Sequence, residues 1–123
     1  MFFVSTTSVY GTQESQVDEN CSLAELKPQS PYAETKLREE AYLTDLGQKQ
    51  GLRFITCRFG TIFGTSPGMR FHTAVNKFCW QAITQAPVTV WKTALQQVRP
   101  YLDLEDGVRA MHFVVQKQLF DRA

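Results

Sequence analysis

Apolar runs alternate with amphipathic stretches in the first half of the chain, a pattern that predicts strands separated by helices. The stretches Phe2–Tyr10 and Leu52–Phe59 are mostly apolar, and both are predicted as strands, the first of them buried. Between them, Ser30 is a suitable helix cap and Pro31 suits the first helical position. We therefore expect a helix that begins at Pro31 and ends near Gln48.

The second half of the chain continues the alternation with shorter elements. The predicted elements are a turn-rich stretch over 60–67, a helix over 74–85, short strands over 88–91 and 98–104, and a closing helix over 103–119. Val108, Met111 and Val115 recur at helical spacing and are predicted to form the inner face of the closing helix. Strands that alternate with helices predict an α/β fold around a parallel sheet.

Composition and charge exclude several classes of function. The chain has 123 residues, of which 43% are hydrophobic, and its 13 basic and 12 acidic residues leave a net charge of +1. Such a balance predicts no general attraction to nucleic acid or to an anionic membrane. The three cysteines are widely spaced and form no C-x-x-C, so no metal site or disulfide framework is predicted. We expect a cytoplasmic protein without a membrane span.

One pair of residues in the first helix suggests chemistry. Tyr32 and Lys36 are four apart, so a phenol and an ammonium lie on the same helix face. A phenol is a poor base at neutral pH because it titrates near pH ~10, but a neighbouring ammonium stabilises the phenolate. Hydroxyls at the carboxyl end of the first strand, Ser5 and Thr6 among them, lie where ligands bind in open α/β sheets.

Four motifs in fitting order place this pair in a wider pattern. They are V-S-T-T-S-V-Y-G (4–11), P-Q-S-P-Y-A-E-T-K-L (28–37), R-F-G-T-I-F-G (58–64) and R-P-Y-L-D-L-E-D (99–106). Together they resemble the extended short-chain dehydrogenase/reductase family, in its NAD-dependent epimerase/dehydratase branch that includes UDP-galactose 4-epimerase. The resemblance runs from residue 2 to about residue 115.

The resemblance implies a role for individual residues. Tyr32 matches the catalytic base, Lys36 the residue that binds the nicotinamide ribose, and Thr6 the catalytic hydroxyl of a Thr-Tyr-Lys triad. NAD is the expected cofactor in preference to NADP. The resemblance also implies Phe59 and Ile62 beside the nicotinamide, and Arg99 and Thr6 toward the substrate. Thr61 is predicted toward the substrate as well, although many epimerases have an Asn there that contacts substrate phosphate, and Trp91 is a candidate for stacking on the nucleobase. An arginine suits bidentate binding of a diphosphate.

The family's N-terminal G-x-x-G-x-x-G does not occur in the chain. We therefore expect the C-terminal part of a Rossmann-type doubly wound parallel sheet plus part of the small substrate-binding region, with the N-terminal glycine-rich half absent. Within this single partial domain, residues 1–64 are expected to be the catalytic Rossmann part, and residues 65–123 the substrate-binding part and closing helix.

The expected reaction is NAD-dependent epimerisation of a nucleotide sugar through a transient 4-keto intermediate, with these 123 residues inactive by themselves. Family dehydratases have an Asp-Glu pair where this chain has Thr7 and Ser8, which disfavours a dehydratase. Two alternatives stay open: a ketone or aldehyde reductase that uses NAD(P), and a catalytically inactive interaction fragment. The full-length protein is expected to be a homodimer.

Overall fold

The computed structural model describes residues 1–11, 17–22 and 24–120. Their contacts divide the chain into two compact units. The first unit comprises Met1–Phe59 together with the chain from Ala110 onward, and the second comprises Gly60–Arg109. Each unit is described below by itself.

A strand-helix-strand arrangement forms the first unit. Strand β1 (Phe2–Thr6) and strand β2 (Ile55–Phe59) pair in parallel, with Phe2 opposite Ile55 and Thr6 opposite Phe59. Helix α1 (Pro31–Gln50) connects them and packs against β1. Parallel strands need such a crossover connection.

The first strand is shorter than the sequence predicts. A 3₁₀ helix follows β1 over Thr7–Tyr10, because the Thr6 hydroxyl accepts a hydrogen bond from the Ser8 backbone N–H at 3.2 Å. This short-range bond turns the chain away from the extended conformation. The prediction of a strand through Tyr10 was therefore wrong after Thr6.

Helix α1 begins with the cap that the sequence predicts and ends two residues after the predicted Gln48. The Ser30 hydroxyl accepts a hydrogen bond from the Ala33 backbone N–H at 3.2 Å, and Pro31 occupies the first turn. At the other end, Gly51 has φ +66° and its N–H donates a hydrogen bond to the carbonyl of Gly47. Glycine adopts this left-handed conformation at no steric cost, so it ends the helix.

The second unit also contains one pair of parallel strands. Strand β3 (Thr61–Phe63) pairs with strand β4 (Tyr101–Asp103), although the sequence predicted only turns around β3. A Cβ at Gly60 would lie 2.7 Å from the Pro100 carbonyl oxygen, so the close approach of the two segments requires glycine there. The helices are α2 (Ala74–Ile83), a 3₁₀ turn (Lys92–Ala94) and α3 (Leu104–Gln116), which continues into the first unit.

The predicted strand over 88–91 does not form. Side chains of α2 bind this segment instead: Gln81 Nε2 donates to the Pro87 carbonyl at 2.8 Å, and Lys77 Nζ donates to the Thr89 carbonyl at 3.2 Å. These bonds supply partners for two of the carbonyls in and next to the segment. Trp91 at the end of the segment is 80% exposed.

The described residues form two separate two-stranded parallel sheets, where the sequence predicted part of a doubly wound parallel sheet together with part of the substrate-binding region. Each strand therefore has one hydrogen-bonded neighbour, and the sheet edges are left unpaired in this part of the chain. An alternation of strands and helices predicts the parallel pairing but not which strands share a sheet.

The predicted inner face of the closing helix is mostly exposed in the described chain. Val108 is 57% exposed and Val115 is 55% exposed, while Met111 is half-buried. Helical spacing identifies which residues share a face, but it does not supply an element that covers them. In the described residues, no helix is long and apolar enough to span a membrane.

Candidate active site

Thr6 lies at the carboxyl end of β1, at the edge where ligands bind in open α/β sheets. It is 9% exposed, and its hydroxyl donates to Ser8 Oγ at 3.2 Å while accepting from the Ser8 backbone N–H. The 3₁₀ helix that follows thus holds the Thr6 oxygen in a fixed position at the end of the strand.

Tyr32 and Lys36 occupy the first two turns of α1. Tyr32 is 58% exposed, and its hydroxyl has no hydrogen-bond partner among the described residues. Lys36 Nζ lies 4.7 Å from the centroid of the Phe3 ring on β1 and 2.9 Å from Glu39 Oε2. A cation over an aromatic face is attracted to it, so the lysine is held against β1 by its own side chain.

The first unit therefore contains the three members of the predicted triad, and α1 packs against both β1 and the 3₁₀ helix that follows it. No hydrogen bond joins Thr6 to Tyr32 or Lys36 in the described structure. Catalytic hydrogen bonds often form only once a ligand is bound. The catalytic roles of the three residues stay predictions.

Two residues predicted beside the nicotinamide lie in different units. Phe59 belongs to the first unit, where it faces Thr6 in the register of the two strands and its ring centroid lies 6.2 Å from that of Phe2. Ile62 belongs to β3 of the second unit and is 39% exposed. Both assignments to the cofactor stay predictions.

Apart from Thr6, the residues predicted toward the substrate lie in the second unit and are exposed. Thr61 pairs with Tyr101 through the backbone, which leaves its side chain outside the ladder. The Arg99 guanidinium makes one long contact, 3.4 Å from Nη2 to Gln97 Oε1. Trp91 is 80% exposed. These side chains are accessible to a ligand, and their substrate roles stay predictions.

Sequence reasoning missed a buried polar network in the first unit. Glu40, on α1, is 7% exposed and binds the Arg58 guanidinium of β2 through Nη2 at 2.7 Å and Nε at 3.2 Å. Glu40 also accepts a hydrogen bond from the Ser5 hydroxyl. Arg58 Nη1 in turn donates to the Tyr10 hydroxyl at 3.0 Å. The network connects α1, both strands and the 3₁₀ helix.

The Glu40 carboxylate raises the pKa of Arg58 above its ordinary value, and this outweighs the opposing effect of burial. The guanidinium is thus charged throughout the usual pH range. A signal for the network was present in the sequence, because an arginine inside a predicted strand needs a counter-charge when it is buried. Only the fold identifies Glu40 as that partner.

A buried amide side chain connects two segments of the second unit. Asn76 on α2 is 5% exposed, its Oδ1 accepts from the Gly64 N–H at 3.2 Å, and its Nδ2 donates to the Arg70 carbonyl at 3.1 Å. Asn76 therefore joins α2 to the backbone at both ends of the segment from Gly64 to Arg70. No group of metal-binding side chains occurs among the described residues.

Comparison with known proteins places the chain in a family. The model of the NAD dependent epimerase/dehydratase family matches residues 1–121. The chain belongs to this family, whose members are enzymes. It is 35% identical over 117 residues, or 94% of its length, to the uncharacterized UDP-glucose epimerase YtcB of Bacillus subtilis (strain 168).

Two solved structures of epimerases are similar to this family member. The UDP-glucuronic acid 4-epimerase of Bacillus cereus, in complex with UDP-glucuronic acid and NAD, is 25% identical with a TM-score of 0.77 over 93% of this chain. The UDP-glucose 4-epimerase of Thermus thermophilus, in complex with NAD, is 28% identical with a TM-score of 0.73 over 92% of it. The chain spans about a third of the relatives' length, 34% of YtcB and of the B. cereus enzyme and 38% of the T. thermophilus enzyme.

These matches correct one prediction made from the sequence. We expected the C-terminal part of the fold, with the N-terminal glycine-rich half absent, but the family match begins at residue 1 and extends to residue 121. That assignment was wrong, and the comparisons support a partial Rossmann-type α/β fold. The absence of one glycine motif does not locate a chain within a domain.

Proposed function

We propose that this chain supplies the Thr-Tyr-Lys catalytic group of an NAD-dependent epimerase that inverts C4 of a UDP-linked sugar. The main observation behind the proposal is the arrangement of α1. Tyr32 lies exposed at its start, with Lys36 one turn later and held against β1 by the Phe3 ring. Three similar family proteins are described as epimerases of UDP-glucose or UDP-glucuronic acid, which supports the substrate class.

The residues present fit NAD. The Lys36 ammonium can donate to a hydroxyl of a nicotinamide ribose, and the exposed Tyr32 oxygen, which has no partner in the described chain, can accept from one. Tyr32 and Lys36 would therefore hold the ribose, with Phe59 and Ile62 beside the nicotinamide ring. Bound NAD supplies the acceptor, and later the donor, of a hydride at C4 of the sugar.

The protein's own residues move the proton. The Tyr32 phenolate accepts the proton of the sugar 4-hydroxyl, and the Thr6 hydroxyl binds the same oxygen and orients it. The Lys36 ammonium stabilises the negative charge of the phenolate through space. After the 4-keto sugar has turned over, Tyr32 returns the proton to the oxygen of the inverted centre.

Arg99 is the proposed ligand of the sugar-nucleotide diphosphate. Its guanidinium is exposed and has one weak contact in the described chain, so it can turn toward two phosphate oxygens. Thr61 and Trp91 are proposed to contact the rest of the nucleotide sugar, with the indole available for stacking on the base.

The neighbours of Thr6 favour epimerisation over dehydration. Elimination of water needs an acid and a base near the sugar, whereas Thr7 and Ser8 offer only hydroxyls, and Ser8 Oγ already binds Thr6. The complete natural protein is expected to convert UDP-glucose or UDP-glucuronic acid to its 4-epimer with no net consumption of NAD. Consumption of NAD(P)H with a simple ketone would favour a reductase instead.

Substitution of the phenol tests the proposal. Tyr32→Phe in the complete protein removes the proton acceptor with little change in packing, and kcat should fall by at least ~10²-fold, the usual effect of a general base. Tyr42→Phe is the matched control, because Tyr42 also lies on α1 and is 64% exposed. Epimer formation is measured by chromatography of the nucleotide sugars. Equal turnover of the two variants would contradict the assignment of Tyr32.

A further inference from the structure

The buried network around Glu40 touches every segment that holds a proposed catalytic residue. Glu40 lies eight residues after Tyr32 and four after Lys36 on α1. Its carboxylate accepts a hydrogen bond from the hydroxyl of Ser5, the residue before Thr6 on β1.

The other half of the network reaches the turn behind Thr6. Arg58 donates to the Tyr10 hydroxyl and lies 4.9 Å from the Tyr10 ring centroid. Tyr10 ends the 3₁₀ helix that Thr6 caps. Thus one buried carboxylate and one guanidinium connect the helix of Tyr32 to both sides of Thr6.

The bonding geometry is specific. Both Glu40 oxygens are occupied, one by the Ser5 hydroxyl and Arg58 Nε and the other by Nε and Nη2 of the same guanidinium. The side chains are 9% exposed for Glu40 and 18% exposed for Arg58, so solvent screens the pair little. A bidentate contact of this kind fixes both the distance and the angle between two elements.

A contribution to folding stability does not by itself explain why the protein has this buried ion pair. Removing two charges from water is unfavourable, and a buried ion pair is often replaced by apolar residues without loss of stability. An enzyme, in contrast, needs its reacting groups held to within a fraction of an ångström.

We propose that Glu40 and Arg58 are positioning residues, which set α1 on β1 and β2 so that Tyr32 and Lys36 face the Thr6 hydroxyl. The inference rests on the proposed function of those three residues. Neither Glu40 nor Arg58 is proposed to touch the substrate. They act through the helix and the strands, and Ser5 and Tyr10 extend their contacts to the segment around Thr6.

The test uses four variants of the complete natural protein: Glu40→Gln, Arg58→Met, the double variant, and Asp45→Asn. Asp45 is the matched control, because its ion pair with Lys49 at 2.8 Å lies within α1 and does not reach the sheet. For each variant, kcat and KM for the UDP-sugar, NAD affinity by titration calorimetry, and the melting temperature are measured.

Each single variant leaves one buried charge without its partner, so both should melt at lower temperature. In the double variant no such charge remains, and the melting temperature should recover. If the pair positions the catalytic residues, kcat at a temperature well below melting should be at least about tenfold lower in all three, including the double variant. KM should change less than kcat, and Asp45→Asn should resemble the wild type.

Recovery of kcat together with the melting temperature in the double variant would overturn the proposal, because it would show a purely stabilising role. If the wild type converts no nucleotide sugar, the proposed epimerase function fails. The NAD affinity of the variants then tests whether Glu40 and Arg58 position Tyr32 and Lys36. Affinity several-fold weaker in all three variants supports positioning of Lys36 and Tyr32. Unchanged affinity contradicts it.

Discussion

At the scale of single residues, the cysteines differ in how far solvent reaches their thiols. Cys79 is exposed, whereas Cys57 is half-buried within β2. Burial raises the pKa of the Cys57 thiol, because the charged thiolate is less well solvated there. The thiolate is the form that reacts with alkylating reagents, so burial lowers the reactivity of Cys57 in two ways.

We expect iodoacetamide at pH 8 to alkylate Cys79 several-fold faster than Cys57 in the folded protein. Mass spectrometry of the peptides that contain each cysteine, at increasing reaction times, measures the two rates. In denaturing urea the difference should disappear. A folded protein that reacts equally fast at both positions would contradict the burial of Cys57.

At the scale of secondary-structure elements, close backbone approach decides whether β3 and β4 can pair. The Gly60 Cα lies so near Pro100 that an added Cβ would be 2.7 Å from its carbonyl oxygen and 3.0 Å from its carbonyl carbon. The same carbonyl accepts the hydrogen bond from the Thr61 N–H at 2.9 Å, which begins the ladder of the two strands. The backbone therefore cannot give way without loss of that bond.

Gly60→Ala should destabilise the protein by roughly 1–3 kcal/mol, the usual range for an overpacked site. The matched control is Gly68→Ala, because no atom lies within 4 Å of a Cβ at Gly68. That change should be neutral or slightly stabilising, since alanine reduces the freedom of the unfolded chain. Urea unfolding curves measure both. Equal midpoints for the two variants would be inconsistent with the contact at Pro100.

At the scale of the whole molecule, the residues proposed to bind NAD and those proposed to bind the substrate diphosphate lie in different units. Tyr32 and Lys36, which are proposed to hold the nicotinamide ribose, lie in the first unit. Arg99, which is proposed to bind the diphosphate of the substrate, lies in the second. A ligand stabilises the folded protein in proportion to the logarithm of its concentration over Kd, about 2.7 kcal/mol at one hundred times Kd.

Thermal melts of the complete protein should therefore separate the two roles. Lys36→Met should reduce the rise in Tm that NAD produces, while the rise with UDP should stay close to that of the wild type. Arg99→Ala should have the opposite pattern, because a charge-assisted bond to phosphate contributes about 1.5–3 kcal/mol. Differential scanning fluorimetry with each ligand in turn measures the four shifts. A uniform loss of both shifts in either variant would indicate a structural role for that residue.

The sequence by itself determined the features that depend on interactions between residues close together along the chain. The Ser30 cap and the proline in the first turn set where α1 begins, because each acts within one turn of the helix. The spacing of four residues places Tyr32 and Lys36 on one face for the same reason. The four motifs also identified the family, which the match over residues 1–121 confirms.

Tertiary structure decided the features that depend on partners distant along the chain. Glu40 and Arg58 are 18 residues apart, and Ser5 and Glu40 are 35 apart, so only packing brings them together. In the same way, side chains of α2 bind the carbonyls of Pro87 and Thr89, and Gly60 with Pro100 permits β3. Propensity and periodicity describe what a segment can form, whereas the free energy of burial and of hydrogen bonding depends on which other segment lies against it.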